Sequence, residues 1–308
     1  MMRFLGLILW LLLATSVWAV DYPPVKVERI NERVYAMLGP TGIPNKDNRG
    51  FVNNNLVIIG DEGVILVDAG SHRDVAKHIH AAIGTVTDKP VTHILITHHH
   101  SDHHLGAEYY EDAEVLATEY CATQIRDGHA SMVESMQRRT GVSFGNANPS
   151  VPQTTIAQGS RQEMVIQGVR LELISADTAH TEGDLMIWLP DDGVLASGDV
   201  LVHYVNPNFY DGNLKSWVGV VDNTILSLPI KTVMPGHGPL MQLDDVIRFR
   251  NMIGDFYSTV EKIYLDNGEE ADVRENLDLE RWKRMDRYEA MIGRNINKVW
   301  LEVEEANF

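Results

Sequence analysis

The chain has a single cysteine, Cys121, in 308 residues. No intramolecular disulfide can form, so packing and bound ions must hold the fold together. Basic residues are scarce as well: 26 lysines and arginines stand against 43 acidic residues, a formal charge of −17. Such a surface repels polyanions and argues against a nucleic-acid partner. Long apolar runs are missing too. No segment approaches the roughly 18 to 20 apolar residues that a spanning helix needs. The run Phe4 to Ala14 is itself too short, but with Arg3 ahead of it and Thr15-Ser16-Val17-Trp18-Ala19 behind, residues 1–19 read as a signal peptide. The expectation is cleavage after Ala19 and a periplasmic or secreted chain with no stable membrane insertion. Residues 20–308 are then long enough for one large domain with C-terminal helices. The sequence is silent on oligomeric state.

What the chain has in abundance is histidine in one place. The stretch Thr97-His98-His99-His100-Ser101-Asp102-His103-His104 directly follows the apolar, β-branched run Val91 to Ile96. That run reads as a buried strand, so the cluster falls on the loop at its end, where side chains for chemistry are usually held. In extended backbone His98 and His100 project to one side, while His99 turns away. Asp102 and His103 lie beyond the bend. Neutral imidazole and carboxylate suit zinc, and the same residue types also serve iron. Three distant segments repeat the placement: His180 follows the run Val169 to Ile174, Asp199 ends Val194 to Ser197, and His237 follows Ile230 to Met234. His99 and His104 read as structural neighbours of the ligands, and Cys121 as a buried apolar residue near the start of a helix.

Around these segments, strands are expected at Val25 to Ile30, Val34 to Leu38, Leu56 to Ile59, Val64 to Val67, Val115 to Ala117, Met164 to Ile166 and Leu185 to Leu189. Helices are expected over His72 to Ile83, near Leu105 to Tyr110, from Glu119 towards Arg139, and over Leu243 to Leu265 and Leu279 to Val303. Gly141 to Pro152 reads as a connector. Two halves that each mix strands and helices imply two packed sheets with helices outside, an α/β (α+β) architecture. Two segments, Gly39 to Asn55 and the polar, aromatic Tyr204 to Trp217, read as loops able to line a cleft.

Asp68 in Val67-Asp68-Ala69-Gly70, the His98 to His103 cluster, His180, Asp199 and His237 stand in an order that resembles the metallo-β-lactamase-fold hydrolases, over roughly Val25 to Leu243. The resemblance implies an αββα sandwich with the metals at one edge. It implies that His98, His100 and His180 hold one zinc, that Asp102, His103 and His237 hold the other, and that Asp199 bridges them. Asp102 and Asp68 are the candidate catalytic carboxylates, Asp68 by orienting a ligand histidine. Two Zn2+ ions sharing a water would yield a hydroxide able to attack an ester, thioester, lactone or lactam carbonyl of a small-molecule substrate. True β-lactamases of this fold generally carry cysteine or serine at or near the place of Asp199. The aspartate, with the Gly39 to Asn55 loop, is more similar to exported glyoxalase II-like or quinoprotein-relay-type hydrolases. A β-lactamase and a non-hydrolytic metal-binding accessory of an exported redox system are the alternatives.

Overall fold

The computed structural model describes residues 22–144 and 148–308, so the expected signal peptide lies outside the described residues. β1 (Lys26–Arg29), β2 (Val34–Leu38), β3 (Asn55–Ile59) and β4 (Val64–Val67) pair antiparallel in chain order. Helix α1 (Arg73–Ile83) then crosses to β5 (Val91–Leu95), which lies parallel to β4. Next come α2 (Ser101–His104) and a 3-10 turn, β6 (Glu114–Thr118), α3 (Glu119–Thr140) and β7 (Thr154–Ile156), with both strands added in parallel. The second sheet runs antiparallel through β8 (Arg161–Ile166), β9 (Val169–Ser175), β10 (Leu185–Leu189) and β11 (Val194–Val202). After α4 (Leu214–Asn223), β12 (Thr232–His237) joins β11 in parallel. The chain closes with α5 (Leu243–Leu265), α6 (Val273–Asn276), α7 (Leu279–Lys283) and α8 (Tyr288–Ala306).

Period-two alternation sorts the side chains into three layers. In β3 and β4, Leu56, Ile58, Ile65 and Val67 face inward and meet Leu171, Leu173, Leu185 and Ile187 of the other sheet. The intervening Val57 and Leu66 face outward and pack with Val75, Ile79 and Ile125 of α1 and α3. On the far side, Trp188 and Leu195 pack under α4, α5 and α8 through Trp217, Phe256 and Val299. This is the α/β sandwich of two mixed sheets flanked by helices. Burying each large aliphatic side chain contributes about 1.5 to 3 kcal/mol, so a chain with no disulfide is held by these layers. Among the described residues no helix is long and apolar enough to cross a membrane.

The structure departs from the sequence-based expectation at four places. β7 forms just beyond the Gly141 to Pro152 connector. β11 does not stop at Ser197 but runs to Val202, through register shifts on either side of Gly198. Asp199 therefore sits inside a strand, and His237 is the last residue of one rather than beyond its end. The segment Tyr204 to Trp217 is not a loop throughout: Asn213 caps α4, and Trp217 is core, its Nε1 donating to the Val200 carbonyl at 2.8 Å. Finally, Leu279 to Val303 is two helices. Asn206 donates to the carbonyls of Trp282, Met285 and Asp286 and fixes the break between them.

Candidate metal centre

The sequence-predicted residues converge at the edge where β4, β5 and β12 end and β11 passes through its register shifts. Three overlapping groups have their donor atoms mutually within 4.8 Å: His98, His100 and His180; Asp102, His103 and His237; and His98, His103 and Asp199. Asp199 lies between the first two. Its carboxylate oxygens are 3.4 Å from His103 Nε2, 3.3 Å from His237 Nε2 and 3.7 Å from His180 Nε2. Asp102 Oδ2 lies 3.5 Å from His237 Nε2. Asp102 and His103 are carried on the one-turn helix α2, so a turn of helix rather than an open bend brings them back towards β12.

Each of the five imidazoles has its outward nitrogen engaged. His103 Nδ1 donates to Asp68 Oδ2 at 2.8 Å, His237 Nδ1 to the Val52 carbonyl at 2.7 Å, and His180 Nδ1 to the Asn208 carbonyl at 3.1 Å. The Thr97 hydroxyl donates to Asp68, so His98 Nδ1 donates to Thr97 Oγ1 at 3.0 Å. His100 is reversed: its Nε2 donates to Asp211 Oδ2 at 2.8 Å and its Nδ1 faces inward. These partners select the tautomer in which the inward nitrogen carries the lone pair. Asp211 and the Val52 and Asn208 carbonyls escaped sequence reasoning. A lone loop acid carries no periodicity, and any residue supplies a carbonyl.

The inward atoms fit a metal. His98 Nε2, His103 Nε2 and Asp199 Oδ1 are buried without a hydrogen-bond partner. An orphaned buried polar atom costs roughly 1 to 3 kcal/mol, and a cation held by the cluster would satisfy all three. His100 Nδ1 and His180 Nε2 stand 3.0 Å apart with their lone pairs facing, an approach that needs a proton or a cation between them. Burial, followed by repulsion from His103, His100 and His180, holds His98 well below the usual imidazole range. Burial takes His180 down to about 3. Both are neutral, as ligation requires. Burial would lower His103 too, but Asp68, Asp199 and Asp102 together push it up to about 10. Its Nε2 proton must leave when a metal binds. Against burial, His237 and His103 hold Asp199 well below the carboxylate range, so it is anionic.

The backbone makes room for this cluster at cost. Asp68 has φ of 60°, a left-handed conformation that a residue with a Cβ rarely adopts. There its Oδ1 accepts the Thr97 amide at 2.8 Å and its Oδ2 holds His103. Gly236 must be glycine, because a Cβ there would collide with Asp199 Oδ1. Asn54 holds the following turn by donating to the carbonyls of Pro235 and Gly238 at 2.9 and 2.8 Å. Asp68→Asn keeps the size of the side chain but removes the charge that orients His103. Metal affinity or turnover should fall about 10- to 100-fold with the fold intact. Unchanged metal affinity and kcat in the folded variant would reduce Asp68 to a turn residue.

A two-sheet sandwich with a buried, preoriented histidine–aspartate cluster at one edge defines a metal-dependent hydrolase. The match to the Metallo-beta-lactamase superfamily spans residues 48–237, most of the chain, and the chain belongs to that superfamily. It is 22% identical over 221 residues to a metallo-beta-lactamase type 2 of Bacillus cereus, covering 70% of this chain and 77% of that one. It is 29% identical over 194 residues to the 2,4-dinitroanisole O-demethylase subunit alpha of a Nocardioides species, covering 60% of this chain and 52% of the relative. Among solved structures, a metallo-beta-lactamase from Pontibacter korlensis superposes with a TM-score of 0.60 at 21% identity, over 75% of this chain and 99% of that one.

Proposed function

We infer that the chain is a dinuclear zinc hydrolase acting on the carbonyl of a small ester or thioester, with lactones and lactams open to the same chemistry. The observation that carries this reading is the set of five imidazoles, each fixed by an outward partner and each turning its other nitrogen to a space shared with Asp199 and Asp102. His98, His100 and His180 would hold one ion, Asp102, His103 and His237 the second, with Asp199 facing both. Bound there, two divalent ions would polarise the carbonyl and lower the pKa of a water towards neutrality. The protein's part is to hold the ligand tautomers through Asp68, Asp211, Thr97 and two carbonyls, and to shape the cavity. That cavity is about 240 Å3 and is lined also by Ile43, Pro44 and Tyr210. It is below the usual range for drug-sized ligands, which favours a compact acyl group.

The glyoxalase II-like or quinoprotein-relay-type subtype is part of this proposal and rests on Asp199 and the Gly39 to Asn55 loop. So is export, which rests on residues 1–19. Intact mass of the protein from its own host should begin near Val20 or Asp21, and a chain still carrying Met1 would overturn it. β-Lactam hydrolysis is the second reading, favoured by the similarity to the Bacillus and Pontibacter metallo-beta-lactamases. A matched panel of ester, thioester, lactone and lactam in one zinc-containing buffer separates the two. Ester or thioester kcat/KM should exceed that for any lactam. A carbapenem or cephalosporin turned over at least about tenfold faster, roughly 1.4 kcal/mol in barrier, would make the protein a β-lactamase. Absence of turnover on the whole panel would favour the accessory-protein reading.

A further inference from the structure

The cavity holds three guanidiniums that the metal cluster does not use. Arg287, Arg294 and Arg139 line it together with His100, His180, Asp199 and His237. In a chain with a formal charge of −17, these three cations, from the last turn of α3, the residue before α8 and α8 itself, stand beside three carboxylates, Asp102, Asp199 and Asp211, all of which face the histidine cluster. Among the described residues none of the three has a carboxylate within 4.0 Å, whereas Arg33, Arg161 and Arg250 elsewhere are each paired.

Arg287 is the deepest. It precedes α8 with φ of 67°, a left-handed conformation that costs about 1 kcal/mol or more and persists only where surroundings enforce it. The enforcement is visible: its Nε donates to the Gly42 carbonyl at 2.8 Å, the neighbouring Asp286 accepts from Thr41, and Asn206 grips the preceding carbonyls. Its Nη2 lies 3.1 Å from His237 Nδ1. That nitrogen gives its own proton to Val52 at 2.7 Å, so it has no lone pair to offer, and the guanidinium edge is left with donors to spare. The negative charges that act on it most strongly are Asp102 and Asp199, both members of the donor groups. Once those carboxylates are committed to cations, the adjacent Asp286, itself engaged by Thr41, is the remaining negative charge that acts on the guanidinium. A sheltered guanidinium so thinly compensated favours a bound anion.

The other two arginines sit at the rim. Arg294 is two helical turns beyond Arg287 and so on the same side of α8. It lies over the Tyr210 ring, 5.1 Å from its centroid. Arg139 comes from the last turn of α3. Forked guanidiniums converging from two elements match the geometry of a planar oxyanion.

We propose that Arg287, with Arg294 and Arg139 at the rim, forms an oxyanion-binding subsite beside the metal donors, so that the substrate carries a carboxylate or comparable acidic group besides the bond that is cleaved. The inference rests on the hydrolase reading and specifies its substrate class: anionic acyl compounds, not neutral ones.

The test pairs mono-4-nitrophenyl glutarate with neutral 4-nitrophenyl valerate on the metal-loaded protein. It is run for wild type, Arg287→Gln, Arg287→Lys and Arg294→Gln after equal metal content is verified. Wild type should prefer the anionic ester by at least about tenfold in kcat/KM. The preference should collapse towards unity in Arg287→Gln, shrink several-fold in Arg294→Gln and be partly kept in Arg287→Lys. Equal use of the two esters by wild type, or a preference untouched by Arg287→Gln, overturns the subsite while leaving the hydrolase reading standing. Should neither ester be cleaved, the hydrolase reading suffers, and calorimetric titration with glutarate still decides the subsite. Binding weakened at least about tenfold in Arg287→Gln supports it, and equal binding overturns it. If Arg287→Gln does not fold, Arg294→Gln carries both readouts.

Discussion

Asp199→Ala and His237→Ala, made separately, should each lower kcat by about a thousandfold or more, close to 4 kcal/mol of barrier, with KM changed far less. Asp199 is the carboxylate that faces both histidine groups, 3.3 Å from His237 Nε2 and 3.4 Å from His103 Nε2. Its removal leaves those cationic sites without their shared anion. His237 is one of three candidate donors in its group, and the proposed chemistry depends on both ions being held. The variants should fold, because each side chain lies at the sheet edge and not in the inter-sheet core of Leu56, Ile65 and Leu171. A near-normal kcat in both would mean that one ion suffices and that the second donor group is structural.

Metal removal should have the second-largest effect, on stability as well as on turnover. The cluster buries His98, His103, His180, His237 and Asp199, and a bound cation would be shared among donor atoms that lie within 4.8 Å of one another in each group. Binding to the folded state alone stabilises it by about 4 kcal/mol when free metal is a thousandfold above Kd. For a chain of this size that corresponds to a fall in Tm of roughly 10 °C on chelation. Acid should strip the ions, since protons compete for imidazole and carboxylate. His103 makes the sign explicit. With no metal bound it is protonated up to about pH 10, so uptake must expel a proton, and affinity rises as the pH rises towards that value. A melting temperature indifferent to chelator would show that the cluster is satisfied without metal.

The sandwich and most of the cluster were legible because they depend on strict periodicities. Strands β2 and β4 match their apolar runs residue for residue, and α5 matches its helical stripe. His98 and His100 could be assigned to one side because extended backbone alternates. What was not legible depends on tertiary contact. Helix α4 is short and rich in valine, which favours strands, so the run around Trp217 did not read as helix. Its one local signal is Asn213, whose side chain accepts the Ser216 amide as an N-cap. The break between α7 and α8 contains neither proline nor glycine. It exists because Asn206, about eighty residues earlier, takes up the carbonyls that a continuous helix would have used. That break is also what turns Arg287 into the cavity, so the feature that shapes substrate choice is the one the sequence pattern hides. Asp211 was missed for the same reason: only the folded loop brings it to His100.

The most direct test of the central claim is the metal content of the pure protein at saturation, measured by elemental analysis together with activity as metal is added back to the stripped chain. Two divalent ions per chain, with turnover completed only as the second is taken up, is the result the proposed dinuclear centre predicts. Saturation at one ion per chain with full activity would contradict it.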